Sequence, residues 1–237
     1  MIVYPEYWRD IGKLIKIKEI EDKILSIVSE IKCNCLALSG GLDSSLLLYY
    51  MCKVHNRVKA FTIGHSEKHP DIQYARLAAW DTIRVEPRTF IPSEKDARYA
   101  QESEEIQGDG AVRLFYKWVA KFTDSIVAGD GIDEFMGGYY VHQKDPSETT
   151  YYDYLRRLQQ GQLLPLDQNS RQVKVYLPYL DKRLLDLLVR VPLSEKVDKQ
   201  KRKKLMVEIA RGKVPTEILI RRKYGFCDVL KSNLKMI

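Results

Sequence analysis

The chain has 237 residues, 45% hydrophobic and 30% charged, with a formal net charge of +7. That is the balance of an ordinary globular protein, long enough to bury a sizeable core. The longest apolar run, residues 46–52, falls far short of the ~20 residues that cross a bilayer. The first ten residues carry no basic segment leading into a hydrophobic stretch, so a cytoplasmic location is expected. The four cysteines, Cys33, Cys35, Cys52 and Cys227, lack C-x-x-C spacing and read as buried, reduced thiols.

In chain order, Ile17, Ile20, Ile24, Ile27, Val28 and Ile31 form one stripe and predict a helix over 17–31. "CNCLALS" predicts a buried strand at 33–39, followed by a helix at 43–53. A second strand is expected at 57–64, then a helix at 71–80 with Asp71 as its N-cap, then a short strand at 82–87. An amphipathic helix at 111–122 leads into a fourth strand at 125–129. Alternation of this kind predicts an α/β fold with a parallel sheet covered by helices. Beyond residue 145 the pattern turns helical, with helices at 151–159, 182–190 and 199–211 and one strand candidate at 173–177. The expected organisation is a single domain: an N-terminal helical segment (1–32), an α/β core (33–145) and a C-terminal helical lobe (146–237). No linker rich in Pro, Gly or Ser divides it, and no repeat occurs.

Ligands of such sheets bind at the carboxyl ends of the strands. Three polar segments fall there: "SGGLDSS" (39–45), "GHSEKHPD" (64–71) and "GDGIDEFMGGYY" (129–140). In the first, Gly40 and Gly41 let backbone approach a ligand closely. The helix starting near Asp43 offers free N–H groups and a positive dipole end, and Ser39, Ser44 and Ser45 add hydroxyl donors. The result is a phosphate nest, without the lysine or spacing of a Walker A loop. Asp43 is out of place beside phosphate unless it holds Mg2+. In the third segment Asp130, Asp133 and Glu134 follow a strand, and burying three carboxylates together without a cation is costly. Asp133 is therefore expected to be a second Mg2+ contact.

Other charged groups leave two readings each. The run "KQKRKK" (199–204) is a solvated helix face or a phosphate-attracting patch. Arg113, Lys117 and Lys144 are solvated charges or contacts for an acidic substrate. His65 and His69 flank the end of the second strand, near the expected nucleotide, while His55 and His142 read as loop residues.

"SGGLDSS" is similar to the pyrophosphate loop of the N-type ATP pyrophosphatases (PP-loop, adenine nucleotide alpha hydrolase-like fold). With Leu before Asp and a doubled Ser it resembles the synthetase domain of glutamine-dependent asparagine synthetases. "GDGIDEFMGGYY" looks like that family's Gly-Glu-Gly-x-Asp-Glu-x-x-Gly-Gly-Tyr. "LPYLDKRLLDLLVRVP" (177–192) looks like its Pro-Phe-Leu-Asp segment. "KLMVEIARGKVPTEILIRRKYGF" (204–226) resembles its C-terminal helix, Leu-Pro and Arg-x-Lys-x-Gly-Phe. The likeness runs in family order over roughly residues 20–230.

The resemblance implies an AMP-forming amide ligase of amino-acid biosynthesis, with ATP and Mg2+ as cofactors. A carboxylate, of aspartate or a related acid, attacks the α-phosphorus of ATP and releases pyrophosphate; ammonia or an amine then displaces AMP. Carried over, Ser39, Gly40, Gly41, Asp43, Ser44 and Ser45 hold pyrophosphate, and Asp43 and Asp133 hold Mg2+. Ala37, Ile63, Ala128 and Gly129 line the adenine and ribose pocket. Asp130 handles a proton from the incoming nitrogen, and Lys223 meets the departing pyrophosphate or the developing oxyanion.

The chain departs from the family in four places. Ile2 stands where the family has a catalytic cysteine, so no glutaminase half is expected. Nitrogen then comes from free ammonium, a separate glutaminase subunit or an amine on the substrate. Asp130 replaces a Glu and is one methylene shorter, which matters for a base that must reach to about 3 Å. Lys174 and Tyr176 replace a Glu-x-Arg, and the helical lobe that shapes the acceptor pocket is short. Two other readings share the loop: a PP-loop enzyme that modifies a nucleotide or tRNA, and a non-catalytic ATP-binding subunit. Against the first, no cysteine pair is expected near a sheet end for sulfur transfer and no RNA-binding appendage is seen; the second sits poorly with the retained Asp43, Asp133 and Lys223. Neither nucleic acid nor membrane is an expected partner.

Overall fold

The computed structural model describes residues 16–80, 82–102, 108–222, 224 and 229–230. In chain order its elements are α1 (Ile17–Glu30), β1 (Cys35–Ala37), α2 (Leu42–Val54), β2 (Val58–Ile63), α3 (Pro70–Ala79), β3 (Val85–Phe90), α4 (Glu94–Glu102), α5 (Asp109–Val119), β4 (Ser125–Val127), α6 (Ile132–Phe135) and α7 (Tyr140–Lys144). Then come α8 (Glu148–Leu158), a π-helical turn (Gln159–Leu163), α9 (Leu164–Ser170), β5 (Lys174–Tyr176), a 3-10 turn (Pro178–Leu180), α10 (Lys182–Leu188), α11 (Leu193–Lys196), α12 (Lys204–Ala210) and α13 (Thr216–Leu219).

The described residues form two compact units, each drawn from separate stretches of chain. A sheet unit takes residues 33–128, 165–176 and those from 212 onward; a helical unit takes those up to 32, 129–164 and 177–211. In the sheet unit the five strands are all parallel, in the order β3-β2-β1-β4-β5. The order reverses between β1 and β4, which makes that crevice the switch point where such sheets bind ligands. The strand candidate near 173–177 is the edge strand β5.

Strand β3 lies three residues later than the apolar pattern suggests. It aligns all six residues with β2, from Val58↔Val85 to Ile63↔Phe90. Pro87 has no N–H to donate, and the strand tolerates it because β3 is an edge. Phe61, Phe115, Val119, Ile126 and Val173 form the core beneath the sheet. There Phe90 stacks on Trp118 with ring centroids 5.1 Å apart.

Helices α5 and α8 begin two and three residues earlier than expected, at Asp109 and Glu148, and two other starts differ because of their caps and turns. Helix α3 begins at Pro70, a residue suited to a first helical position, and its cap is His69, whose Nδ1 accepts the Asp71 N–H at 3.1 Å. Asp71 is thus not the cap, and its carboxylate serves elsewhere. Helix α12 begins only at Lys204. Ahead of it the Asp198 carboxylate accepts the N–H groups of Gln200 and Lys201, both at 2.8 Å, which winds residues 198–201 into a turn. Helix α4 was not expected, because its sequence EKDARYAQE buries only Ala100 and offers almost no apolar stripe.

Among its described residues the helical unit contains no strand. Helix α1 buries Ile20, Ile24, Ile27 and Val28 and packs on α10 and α12. Arg183 forks onto both oxygens of Glu30, at 2.7 and 2.9 Å. His142, expected in a loop, is 1% exposed on α7 among the rings of Tyr139, Tyr151 and Tyr154.

Cys35 is buried, whereas Cys33 and Cys52 are partly exposed, and all three are free thiols. Cys33 precedes β1 and bonds to the Ser125 carbonyl at 3.2 Å. No described helix is long and apolar enough to cross a membrane.

Candidate active site

In the sheet unit, Ala37 ends β1, Ile63 ends β2 and Ala128 follows β4. These are three neighbouring parallel strands, so the residues share one sheet edge. Ile63 and Ala128 are buried and Ala37 is half-buried. The Ala128 N–H donates to the Tyr176 carbonyl at 2.9 Å. Beside Tyr176, the Lys174 ammonium lies 4.7 Å from the Tyr176 ring centroid, so the two departures on β5 pair with each other.

The loop after β1 is tied at both ends. Leu38 donates its N–H to the Phe61 carbonyl at 2.8 Å, and its own carbonyl accepts the Thr62 hydroxyl at 2.6 Å. The Ser39 and Ser44 hydroxyls share a bond at 3.1 Å, the Gly41 N–H donates to Ser39 Oγ at 3.3 Å, and Ser44 Oγ donates to the Gly41 carbonyl at 3.2 Å. Gly41 caps α2. The first amides of a helix have no intrahelical acceptor and face outward from its N-terminus, where anions bind.

Asp43, half-buried, lies in that first turn, and Ser45 is 3% exposed with no hydrogen-bond partner for its hydroxyl among the described residues. Gly40 is required for a reason the sequence did not suggest. It has φ +67°, and a Cβ there would strike the backbone of Tyr74 and Ala75 in α3. The helix behind the loop, not only a ligand in front of it, demands glycine.

Residues 129–140 belong to the helical unit. The expectation of three carboxylates buried together is not met. Asp130 is exposed, and Asp133 receives the Lys203 ammonium at 2.7 Å. Glu134, 1% exposed, accepts the Tyr139 hydroxyl at 2.8 Å. With Asp130 exposed and Asp133 paired with Lys203, the crowding argument for a cation at Asp133 lapses. Burial first, and Glu134 next, push the Tyr139 phenol well above its usual range, so it stays a donor. Gln162, on the π-helical turn, also bonds to that hydroxyl.

Gly138 is needed beside the ion pair: a Cβ there would meet Asp133 Oδ1, and the Lys203 Cε at 2.6 Å. Lys203 itself is held at φ +52°, a conformation L-residues adopt at some cost.

The basic run 199–204 is therefore not one solvated helix face. Lys203 is 9% exposed. Arg202 donates to the Gly138 carbonyl at 2.6 Å and lies over the Tyr140 ring. Lys204 pairs with Asp198 at 2.9 Å. Of the other charges singled out, Arg113 bonds to Asn169 at 3.0 Å, and Lys117 and Lys144 are exposed. His69 is consumed as the α3 cap, with His65 edge-on to it at 5.1 Å. Lys223 lies outside the described residues. Sequence reading gave Lys203, Asp71 and Arg221 no role at these sites; the first lies in the basic run, the second closes the 64–71 segment and the third opens Arg-x-Lys-x-Gly-Phe. Arg221 ion-pairs with Asp71.

Comparison with known proteins places these motifs. The family model described as asparagine synthase matches residues 32–176 and 152–236. A probable glutamine-hydrolysing asparagine synthetase of Acanthamoeba polyphaga mimivirus is 23% identical over 265 residues, covering 97% of this chain and 48% of the relative. One of Dictyostelium discoideum is 26% identical over 81% of this chain and 42% of its own length. Asparagine synthetase B of Escherichia coli K12 is 23% identical over 88% and 43%. The chain thus spans about half the length of the curated relatives it matches. Among solved structures, NMN synthetase from Francisella tularensis superposes with a TM-score of 0.52 at 15% identity, over 90% of this chain and 78% of that one. The fold is the PP-loop fold, a parallel α/β sheet with a helical lobe.

Proposed function

We propose, because this chain belongs to the asparagine synthase family, that it is an ATP-dependent, AMP-forming amide ligase. It activates a carboxylate, of aspartate or a related acid, and passes the acyl group to ammonia or an amine. The carboxylate oxygen bonds to the α-phosphorus of ATP as the bond to the β-phosphate oxygen breaks, giving an acyl-adenylate and pyrophosphate. Nitrogen then attacks the acyl carbon, loses a proton, and AMP leaves.

The observation that carries the reading is the 39–45 loop at the switch point of the sheet. It joins a glycine-bearing turn, three serine hydroxyls and the N-terminus of the 13-residue α2. Loop amides and the hydroxyls of Ser39, Ser44 and Ser45 bind pyrophosphate oxygens, and the orphan Ser45 hydroxyl fits an absent partner. Ala37, Ile63, Ala128 and Gly129 line the adenosine site. Asp130, exposed, takes the proton from the incoming nitrogen.

Of the two carboxylates that the family pattern assigns to magnesium, Asp43 lies in the first turn of α2 beside the 39–45 loop and suits an ion that takes one or two carboxylates and fills its shell with phosphate and water oxygens, whereas Asp133 already pairs with Lys203. When bound the ion neutralises charge on the leaving pyrophosphate. By the family pattern Lys223 is the candidate for the fixed positive charge that meets the departing pyrophosphate or the developing oxyanion. The nitrogen source is free ammonium, a separate glutaminase or an amine on the substrate. Arg202 and Lys203 are engaged inside the helical unit, which leaves fewer of the run's basic side chains for an RNA-binding surface.

The test is release of pyrophosphate and AMP from Mg-ATP across a panel of carboxylic acids, with and without ammonium. The reading expects acid-dependent release of both in equal amounts. ATP binding with no release for any acid would overturn it in favour of a non-catalytic subunit.

A further inference from the structure

We infer that Asp71 and Arg221 form a positioning dyad that sets the shape of the 39–45 loop from behind. Its structural part stands on the geometry alone; its consequence for turnover rests on the ligase reading above.

Both side chains are withdrawn from water, at 7% and 5% exposure. One arm of the Arg221 guanidinium, Nη2, ion-pairs with Asp71 Oδ1. The other, Nη1, donates to the Ser39 carbonyl at 2.8 Å. The guanidinium lies 4.5 Å from the Tyr74 ring centroid and 5.7 Å from that of Tyr224. Three remote stretches therefore meet at one planar cation: the loop after β1, the first turn of α3 and the segment after α13. All belong to the sheet unit.

The contact falls where loop shape is decided. Arg221 holds the carbonyl of Ser39, and α3 presses on the next residue, Gly40, through the Tyr74 and Ala75 backbone. The Ser39–Gly40 peptide is gripped on both sides, and its orientation sets where the following amides point. Those are the amides offered to phosphate. A buried Arg–Asp pair adds little stability over an apolar pair of the same volume, so net stability does not explain it. A forked, planar cation holds a carboxylate and a carbonyl at fixed angles on separate arms, whereas a lysine is a compact charge whose donors rotate. Burial pushes the Asp71 carboxyl upward and Arg221 opposes that, as expected of a desolvated acid with a dedicated partner.

The experiment compares Asp71→Asn, Arg221→Gln, their combination and Arg221→Lys. Tm, hydrogen exchange of amides 39–44 and pyrophosphate release are read on each. Either neutral single variant leaves a buried charge alone and lowers Tm by roughly 10 °C. The combined variant is charge-neutral and recovers Tm to within about 3 °C of wild type, yet its loop amides exchange at least about tenfold faster and kcat falls about tenfold. Arg221→Lys keeps the ion pair and Tm but loosens the loop in the same way, which keeps the inference testable if the combined variant does not fold. Unchanged loop exchange in whichever of these two variants keeps its Tm overturns the dyad. Faster exchange with unchanged kcat overturns its role in turnover. A wild-type protein that releases no pyrophosphate overturns the ligase reading, while the exchange result still decides the dyad.

Discussion

Lys203 holds its ammonium 2.7 Å from Asp133 Oδ1, with the two side chains 11% and 18% exposed. A cation from the basic run thus sits on the acid that the family motif assigns to metal, with Gly138 packed against both. Removing one partner of a nearly buried pair leaves the other charge desolvated. Lys203→Met should lower stability by about 2–3 kcal/mol, and adding Asp133→Leu should recover most of that loss. Urea denaturation of the single and double variants checks this. Equal midpoints for wild type and Lys203→Met would show that the pair contributes nothing.

Gly40 and Gly212 separate two costs of a methyl group. Both have positive φ, +67° and +72°, but only Gly40 has backbone against its missing Cβ, whereas nothing lies within 4 Å at Gly212. Gly212→Ala should cost about 1 kcal/mol from backbone strain alone. Gly40→Ala adds a clash with α3 and should cost about 3 kcal/mol or more. Thermal melts of the two proteins should differ accordingly; matching melts would mean that α3 yields to the methyl group.

Lys196 is 1% exposed, and its ammonium donates to the Tyr151 hydroxyl at 2.9 Å, the only hydrogen bond it makes to the described residues. Burial draws its pKa from the ordinary 10.5 down to about 7. Between pH 7 and 10.5 the unfolded chain therefore binds the proton that the folded chain has lost. Stability should rise with pH across that window, by at most about 1.4 kcal/mol per unit. Below pH 7 both states are protonated and this dependence vanishes. Lys196→Met should flatten the rise and be more stable at pH 7; an unaltered pH profile in that variant would assign the effect to another group.

Asp43→Asn keeps the size of the side chain and removes its charge. Pyrophosphate release should fall by about 10²-fold or more if the carboxylate serves the leaving group. The far-UV circular dichroism should be unchanged, because Asn keeps the size of the side chain and the dipole contact it gives up is worth about 0.3–1 kcal/mol. Turnover at the wild-type rate would take Asp43 out of the metal site.

Much of the architecture was legible before any coordinates. Strands β1, β2 and β4 and helices α1, α2 and α5 announce themselves by period, since each buries one face or is buried whole. The Ser-Gly-Gly-Leu-Asp-Ser-Ser string is legible because strand end, tight turn and helix start are local events within seven residues. Helices α6, α7, α11 and α13, of four or five residues, are too short to show a period. Strand β3 was misplaced because its register is dictated by β2, not by its own residues.

The sequence by itself determined the class of fold, the position of the 39–45 loop at a strand end and the family, because these rest on short-range periodicity and contiguous motifs. Only the tertiary structure decided the partners of the charges. Asp71, read as a helix cap, faces Arg221, 150 residues away. Lys203, read as part of a run that was either solvated or phosphate-attracting, closes on Asp133, and Lys196 is buried against a tyrosine. A charge's partner is whichever group the fold brings within about 3–4 Å, and no local pattern among 39 basic and 32 acidic residues selects that pairing before the chain has folded.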